Sequence, residues 1–259
     1  MGVLNVTPDS FSDGGQFLDA ARAIERGRQM IREGADLVDV GGESTRPGAE
    51  PVATEVEQAR VLPVIEVLAR EVRVSIDTTK PEVARAAVAA GATLINDISA
   101  SLHEVAAETG VGWVAMHMQG TPATMQDSPH YDDVVAEVVE HLADRVRVGR
   151  AAGIGEIWVD PGIGFGKTTA HNLALLRRLD QVVALGEPVV VGTSRKGFLG
   201  RLLGGSDAGV DPEDATPTPV DDRLEGSLAT ATWALVQGAR MVRAHDVLAT
   251  VQAARVVAA

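Results

Sequence analysis

Residues 157–167 read Ile-Trp-Val-Asp-Pro-Gly-Ile-Gly-Phe-Gly-Lys. The first three residues are an apolar run typical of a buried strand, and the rest supply an acid, three glycines, an aromatic residue and a lysine. Two interpretations compete: a nucleotide-binding P-loop, or an acid at the C-terminal end of a barrel strand that binds a polar ring. A P-loop requires glycine, four residues and then Gly-Lys-Ser/Thr. Counting back from Gly166-Lys167-Thr168 places Pro161 at the first glycine position, so the P-loop interpretation is weak.

The strand–loop–helix unit around this stretch recurs along the chain. Helices are predicted at about 19–33 and 54–70, Pro81 is expected in the first turn of a third helix, and Gly-Ala pairs typical of helix C-caps precede several strands. The predicted strands are 3–6, 36–40, 72–76, 93–95, 113–116, 157–159, 189–191 and 239–242. Length alone permits one large barrel or two smaller domains. Eight units of roughly 32 residues predict an α/β fold, a single-domain (β/α)₈ TIM barrel.

One segment interrupts the repeating strand–loop–helix pattern. Residues 204–222 are rich in Gly, Asp, Pro and Thr and lie within the expected seventh strand-to-helix connection. They are predicted to form a flexible surface insertion. The whole of residues 1–259 is otherwise interpreted as one domain.

Composition limits the possible partners. The formal net charge is −13 and the pI is about 4.9, which argues against nucleic acid and anionic membranes. Cysteine is absent, which excludes disulfides and thiolate metal sites. The sequence shows neither a transmembrane run nor the basic start of a signal peptide, so a soluble cytoplasmic protein is expected.

Polar residues cluster at the predicted strand ends, where a barrel carries its chemistry. A single aspartate after a strand is usually a helix N-cap or a turn residue. A polar residue at every one of eight strand ends instead predicts one site for a small ligand. These residues are Asn5, Asp39, Asp77, Asn96, Asp97, His117, Asp160, Ser194 to Lys196, and Arg243 to His245.

The residue types indicate the ligand chemistry. Asp77, Asn96 and Asp160 offer acceptors and one amide donor, which suits the edge of an amino-pyrimidinone ring. Lys196 and the 243–245 segment offer cationic donors suited to phosphate oxygens. A ligand with a flat polar heterocycle at one end and phosphate at the other is therefore expected.

Several motifs carry a family resemblance over essentially the whole chain. Residues 1–15, MGVLNVTPDSFSDGG, and 41–48, GGESTRPG, resemble the first two loop signatures of dihydropteroate synthases. Further runs match in order: Ser75 to Thr78, Asn96 to Ser99, Met116 to Met118, Asp160 to Lys167, Gly192 to Lys196, and Arg243 to Asp246. The resemblance implies condensation of 6-hydroxymethyl-7,8-dihydropterin pyrophosphate with 4-aminobenzoate, giving 7,8-dihydropteroate and pyrophosphate in folate biosynthesis. It also implies a homodimer and competitive inhibition by sulfonamides.

The resemblance assigns roles by position. The pterin contacts are Asp77, Asn96, Asp160 and Lys196, with Met116 on the ring face. The pyrophosphate contacts are Asn5 through Mg²⁺, Thr45, Arg243 and His245. The aminobenzoate contacts are Phe11, Thr45, Arg46, Pro47 and Phe165. Asp13 and Arg46 are expected to order the first two loops, and both join Asp77 and Lys196 as the expected catalytic residues.

Other residues receive structural interpretations. Lys167 is expected to be a solvated lysine at a helix start, Asp97 a cap, and Asp39 and Glu43 members of a hydrogen-bond network under the second loop. The tryptophans at 113, 158 and 233 are expected to pack, and the histidines at 103, 130, 141 and 171 to lie on the surface. Two other functions stay open: a pterin-dependent methyltransferase domain, and a catalytically silent pterin-binding paralogue. The first would not require the 45–47 loop or the 194–196 run, and the second would be expected to have lost anion or loop residues.

Overall fold

The computed structural model describes residues 1–7, 16–44 and 50–259, with residues 16–19 described by their backbone alone. The strands in this part of the chain are β1 (Gly2–Asn5), β2 (Leu37–Gly41), β3 (Arg73–Asp77), β4 (Leu94–Asp97), β5 (Gly112–Met116), β6 (Ile157–Asp160), β7 (Val190–Val191) and β8 (Met241–Val242). The helices are α1 (Gln16–Arg32), α2 (Thr54–Leu68), α3 (Pro81–Ala89), α4 (His103–Thr109), α5 (Val134–Ala151), α6 (Thr169–Arg177), α7 (Leu179–Val183), α8 (Gly197–Ala208), α9 (Leu224–Val236) and α10 (Val247–Val257). No helix in these ranges is both long and apolar enough to cross a bilayer.

The strands form a parallel barrel. Strands β1 to β6 pair in chain order, and β7 pairs with β8. Two parallel bridges join the two groups: Val159 with Val189, and Gly2 with Ala244. The second junction carries hydrogen bonds from Val3 N to Ala244 O (3.0 Å) and from Ala244 N to Met1 O (2.9 Å). Hydrogen bonding therefore continues around the circle, and the (β/α)₈ prediction is confirmed.

Local sequence signals explain the boundaries of the helices. Pro81 opens α3 at its first turn, where a missing N–H costs nothing. Gly34, Gly91 and Gly238 each follow a helix with φ between 99° and 116°, a conformation open to glycine, and the chain then enters the next strand. The predicted strands and helices lie within a few residues of the observed ones.

The barrel interior changes character along its axis. Asp39 of β2 hydrogen-bonds residues of β3, β4 and the end of β8, so its side chain lies inside the barrel. Residues two positions earlier on a strand share that face. They belong to an apolar cluster at the N-terminal end, which comprises Leu37, Leu94, Val114 and Val190, with Met1, Trp158 and Met241 packed against it. The barrel interior is thus apolar at the N-terminal ends of the strands and polar at their C-terminal ends.

The 204–222 segment is partly regular. Helix α8 continues to Ala208 and ends at Gly209 in the left-handed conformation (φ 67°), so the first five residues of the predicted insertion are helical. The rest runs without a helix or strand to α9, and Thr218 N donates to Gly200 O (2.9 Å). A loop confined to 209–223 replaces the longer insertion that composition suggested. The flexibility of this loop stays a prediction.

Candidate functional site

Strand register brings the polar strand ends together. Asp77 pairs in register with Gly41 on one side and with Asn96 on the other. Across the mouth, Met116 pairs in register with Asp160. Between β4 and β5, Asn96 pairs with Val114, so Met116 and Asp160 lie two residues further along their strands. All four predicted pterin contacts of strands β3 to β6 thus lie at or next to the C-terminal ends of their strands.

A buried hydrogen-bond network lies beneath these residues. The Asp39 carboxylate accepts from Ser75 Oγ, Asn96 Nδ2 (2.9 Å) and Arg243 Nε (2.6 Å), and it is fully buried. Arg243 Nη2 also donates to Asp77 Oδ2 (2.6 Å). The expected structural role of Asp39 is confirmed, and Asp39 fixes the amide of Asn96 and the guanidinium of Arg243 together.

Charge and burial compete at the mouth. Burial raises the pKa of Asp77, which Arg243 opposes and Asp39 reinforces. Burial likewise raises the pKa of Asp160, which Lys196 opposes. For Lys196, burial lowers the pKa to about 8 despite the attraction of Asp160. Asp77 Oδ1 is buried without a partner within the described chain, so one acceptor is available to a ligand.

The loop after β6 is shaped by glycine. Gly162, Gly164 and Gly166 have φ of 65°, 84° and 61°, where other residues are strained. Asp160 Oδ1 accepts from the N–H of Gly162 (2.7 Å), which turns the chain back over the strand end. A Cβ on Gly164 would lie 2.8 Å from Lys196 Cδ, so the missing side chain lets Lys196 cross this loop.

Lys196 lies between the sixth and seventh strand ends. Its Nζ donates to the Ile163 carbonyl oxygen and lies 4.5 Å from the centroid of the Phe165 ring. The structure thus brings Lys196, which was assigned to the pterin, next to Phe165, which was assigned to the aminobenzoate.

The seventh and eighth loops are tied to each other. Arg195 has φ 61°, and its guanidinium pairs with Asp246 (Nε to Oδ2, 2.9 Å). Ser194 Oγ accepts from His245 N (3.1 Å) and lies 3.1 Å from His245 Nδ1. The sequence assigned no role to Asp246, although the matched run Arg243 to Asp246 includes it.

The stem of the second loop is also clamped. Lys80 Nζ bridges Glu43 and Glu57 at 2.5 Å each, and Glu57 is fully buried. Glu43 Oε1 accepts from Val52 N (3.0 Å), which confirms Glu43 as part of a network under this loop. The residues of the first two loops that were assigned to the site lie outside the described residues: Phe11, Asp13, Thr45, Arg46 and Pro47.

The structural interpretations have mixed outcomes. Asp97 accepts from Leu102 N (2.7 Å) and Ser99 N (2.9 Å), which confirms its capping role. Trp113 is fully buried, whereas Trp233 is 45% exposed. The prediction of a solvated Lys167 is wrong: its side chain is among the largest fully buried ones, because backbone carbonyls surround its ammonium group.

The histidines also differ from expectation. His130 is exposed, as expected. The surface prediction is wrong for the other three, which are partly buried because their rings pack against neighbours: His103 against Trp113, His141 against His117 and His171 against Tyr131.

Comparisons with known proteins place this site in a family. The family model described as "Pterin binding enzyme" matches residues 1–245. The chain is 48% identical over 267 aligned residues to the Escherichia coli K12 dihydropteroate synthase, covering 100% of this chain and 90% of that protein. The chain belongs to the dihydropteroate synthase family. Its fold is that of the family, as the resemblance implied.

Solved structures agree with this membership. A Xanthomonas albilineans dihydropteroate synthase with 4-aminobenzoic acid has a TM-score of 0.87 at 46% identity, covering 99% of this chain and 90% of that one. The same protein with 7,8-dihydropteroate gives 0.83 at 43% identity, with the same coverage. A Yersinia pestis dihydropteroate synthase with a sulfonamide drug complex gives 0.87 at 43% identity, covering 100% and 92% of the two chains.

Proposed function

We propose that the chain condenses 6-hydroxymethyl-7,8-dihydropterin pyrophosphate with 4-aminobenzoate, releasing 7,8-dihydropteroate and pyrophosphate. The observation that carries this function is the polar barrel mouth. Asp77 and Asn96 lie in register on one side, and Asp160 lies beside Lys196 on the other. Hydrogen-bond acceptors and donors thus lie on opposite sides of the barrel mouth, and the interior beneath them is apolar. Such a site suits a flat, polar heterocycle.

In the proposed complex, the pterin lies between these two sides. Asp77 Oδ1, which has no partner among the described residues, accepts from the ring amine and N–H groups, and the Asn96 amide binds the same edge. Asp160 accepts from the opposite edge, and Lys196 donates to the ring carbonyl or nitrogen. Met116, in register with Asp160, packs on the ring face. A buried network that already orients these groups lowers the cost of ordering them on binding.

The pyrophosphate binds at the rim in this proposal. The Arg243 side chain is 21% exposed, and among the described residues its Nε and Nη2 donate to the Asp39 and Asp77 carboxylates. Together with His245 and Thr45, it faces the phosphate oxygens. The Asp39 and Asp77 carboxylates hold the Arg243 guanidinium at the rim, so a local cation is available for an anionic substrate although the net charge of the protein is −13.

The residues present fit a magnesium ion. A Cβ built on Gly41 would lie 3.8 Å from Asn5 Oδ1 and 3.7 Å from Asp77 Oδ2, so two oxygens face the small space that the glycine leaves. The part of the chain that the structure describes holds no cluster of three or more His, Cys, Asp or Glu ligands. Mg²⁺ usually takes one or two protein oxygens, waters and substrate phosphates, so Asn5 suffices as an anchor. When bound, Mg²⁺ neutralises charge on the departing pyrophosphate.

The chemical step follows from these charges. The bond between the exocyclic methylene carbon and oxygen breaks, and its electron pair leaves with pyrophosphate. The cationic methylene is conjugated with the pterin, and the carboxylates of Asp77 and Asp160 stabilise it. The nitrogen lone pair of aminobenzoate then forms the new C–N bond, and the nitrogen loses a proton. Positional isotope scrambling in the substrate without aminobenzoate supports this dissociative order, and its absence counts against it.

The aminobenzoate enters beside the β6 loop. Phe165 forms one wall of its channel next to Lys196. Phe11, Thr45, Arg46 and Pro47 frame the rest, and Asp13 and Arg46 order the two loops that exclude water from the cation. The Xanthomonas protein is solved with 4-aminobenzoic acid and the Yersinia protein with a sulfonamide, which supports a shared site for substrate and inhibitor. A cytoplasmic homodimer is part of the same proposal.

Formation of labelled dihydropteroate tests the proposal. The chain is mixed with the pterin pyrophosphate, Mg²⁺ and labelled aminobenzoate. Lys196→Ala and Arg243→Ala each lower the rate about tenfold or more, equivalent to about 1.4 kcal/mol. No product from the wild-type chain would overturn the function and favour a silent pterin-binding protein. Near-normal rates in both variants would overturn the assigned roles only.

A further inference from the structure

Lys167 is a buried cation that the proposed chemistry does not use. Its side chain is 1% exposed. The Nζ atom lies 2.9 Å from His117 Nδ1, 3.0 Å from both Gly162 O and Phe165 O, and 3.4 Å from His117 O. Lys167 therefore contacts the end of β5 and two points on the β6 loop at once.

These four acceptors determine the state of the amine. An ammonium group can donate to three of these four acceptors, whereas a neutral amine can donate to only two of them. Burial lowers the pKa of Lys167 to about 7, and Asp160 opposes this shift. The surrounding carbonyl oxygens favour the charged form, so Nζ donates to neutral His117 through its Nδ1. Burial lowers the pKa of His117 to about 3, so the ring is neutral, and its Nε2–H tautomer leaves Nδ1 as the acceptor.

The glycines of the loop make this enclosure possible. A Cβ on Gly162 would lie 1.8 Å from His117 O, and one on Gly166 would lie 2.6 Å from Gln119 O. Only glycine lets the β6 loop lie against the segment after β5. A P-loop turns backbone N–H groups toward an anion. Here the backbone turns carbonyl groups toward a cation of the same chain.

The enclosed loop presents two groups to Lys196. Ile163 O accepts from Lys196 Nζ, and the Phe165 ring lies against it. Both residues lie between Gly162 and Lys167 in the chain, and the carbonyl of Phe165 itself binds Lys167. A shift of the loop away from Lys167 therefore moves the aromatic wall and the partner of Lys196 together.

We propose that Lys167 is a positioning residue. Its ammonium group binds the carbonyl groups inside the β6 loop, as a bound cation would, and thereby holds Phe165 and Lys196 in place for the aminobenzoate. This inference rests on the proposed function, because Phe165 is assigned there to the aminobenzoate channel. Lys167 touches neither substrate and acts through the loop.

The kinetic test separates the two substrates. In Lys167→Met, the KM for aminobenzoate rises about tenfold or more, while the dissociation constant of the pterin pyrophosphate rises by a clearly smaller factor. Lys196 is only one of the proposed pterin contacts, and Asp77 and Asn96 lie on β3 and β4, away from the displaced loop. Equal changes for both substrates, or no change for either, would overturn the proposal.

A spectroscopic test needs no substrate. The chain contains three lysines, Lys80, Lys167 and Lys196, so lysine labelled with ¹³C at Cε gives three assignable signals. The ring current of Phe165 shifts the Lys196 signal, and Phe165→Leu identifies that shift. Lys167→Met removes the shift, whereas Lys80→Met, in the separate Glu43 network, leaves it in place. A retained shift in folded Lys167→Met would overturn the proposal.

A second pair of variants keeps Lys167 in place in case Lys167→Met does not fold. His117→Asn retains an acceptor for Nζ, whereas His117→Leu removes it. The aminobenzoate KM and the Lys196 signal change in His117→Leu and return toward wild type in His117→Asn. Identical behaviour of the two variants would overturn the proposal. Failure of the wild-type chain to make dihydropteroate would refute the function alone, because the lysine spectra still report the loop.

Discussion

Replacing Asp39 by asparagine tests the network that orients the site. Asp39 is fully buried and accepts from Asn96, Ser75 and Arg243, and the asparagine side chain keeps its size but loses one acceptor and the charge. One of the three donors, from Ser75, Asn96 or Arg243, then faces the N–H₂ group of the new amide and loses its acceptor. The Arg243 guanidinium keeps a single carboxylate partner, Asp77. Breaking a buried, hydrogen-bonded pair in this way costs about 3–5 kcal/mol.

That loss corresponds to a Tm lower by about 6–20 °C, since 1 kcal/mol shifts the Tm of a chain this size by about 2–4 °C. Differential scanning calorimetry measures it. Glu108→Gln is the matched control, because it neutralises a carboxylate that pairs with Arg85 on the exposed surface and should leave the Tm unchanged. An Asp39→Asn protein within about 2 °C of wild type would refute the reasoning, because the network would then carry little of the stability assigned to it.

Three further predictions concern the loop, the buried histidine and the metal. Gly162→Ala should lower the Tm more than Gly153→Ala, because both have positive φ but only the first Cβ would meet a backbone oxygen, at 1.8 Å; equal Tm values would contradict this. The native pKa of His117 is lowered to about 3 by burial, Lys167 and His141, so between about pH 6.5 and 5 the unfolded chain binds the extra proton. The free energy of unfolding should therefore fall by up to about 1.4 kcal/mol per pH unit on acidification, and urea titrations of His117→Asn should show a shallower fall. Asn5→Ala should raise the Mg²⁺ concentration for half-maximal activity about tenfold, and an unchanged requirement would remove Asn5 as the metal anchor.

The sequence predicts the barrel well, for a physical reason. Parallel strands buried on both faces produce short apolar runs, and several helices are followed by a glycine that turns the chain into the next strand. Residues such as Asp77 and Asn96 are then placed by topology, because all strand ends of a barrel converge on one mouth. The register found between these two residues is what that rule implies.

The fate of Lys167 could not be predicted from the sequence. A lysine just before a helix is usually solvated, and nothing local shows that carbonyl oxygens from two loops enclose it. The enclosure depends on the approach of the β6 loop to His117, a contact 50 residues apart in the chain. Three glycines at alternating positions were the available signal, because they permit such an approach.

The sequence also did not predict which charged side chains pair with each other. Arg243 was assigned to an anion by type, yet two of its nitrogens bind carboxylates of β2 and β3. Residues 39, 77 and 243 meet only because the barrel closes between β8 and β1. Sequence spacing does not encode that closure, so the sequence identifies the groups but not their partners.

Simultaneous measurement of both products in one quenched time course tests the central claim most directly. With pterin pyrophosphate, Mg²⁺ and aminobenzoate, the wild-type chain should release pyrophosphate and form dihydropteroate in a 1:1 ratio, and Lys196→Ala should slow both equally. Pyrophosphate released without matching dihydropteroate, or neither product formed, would contradict the claim that this barrel mouth joins the two substrates.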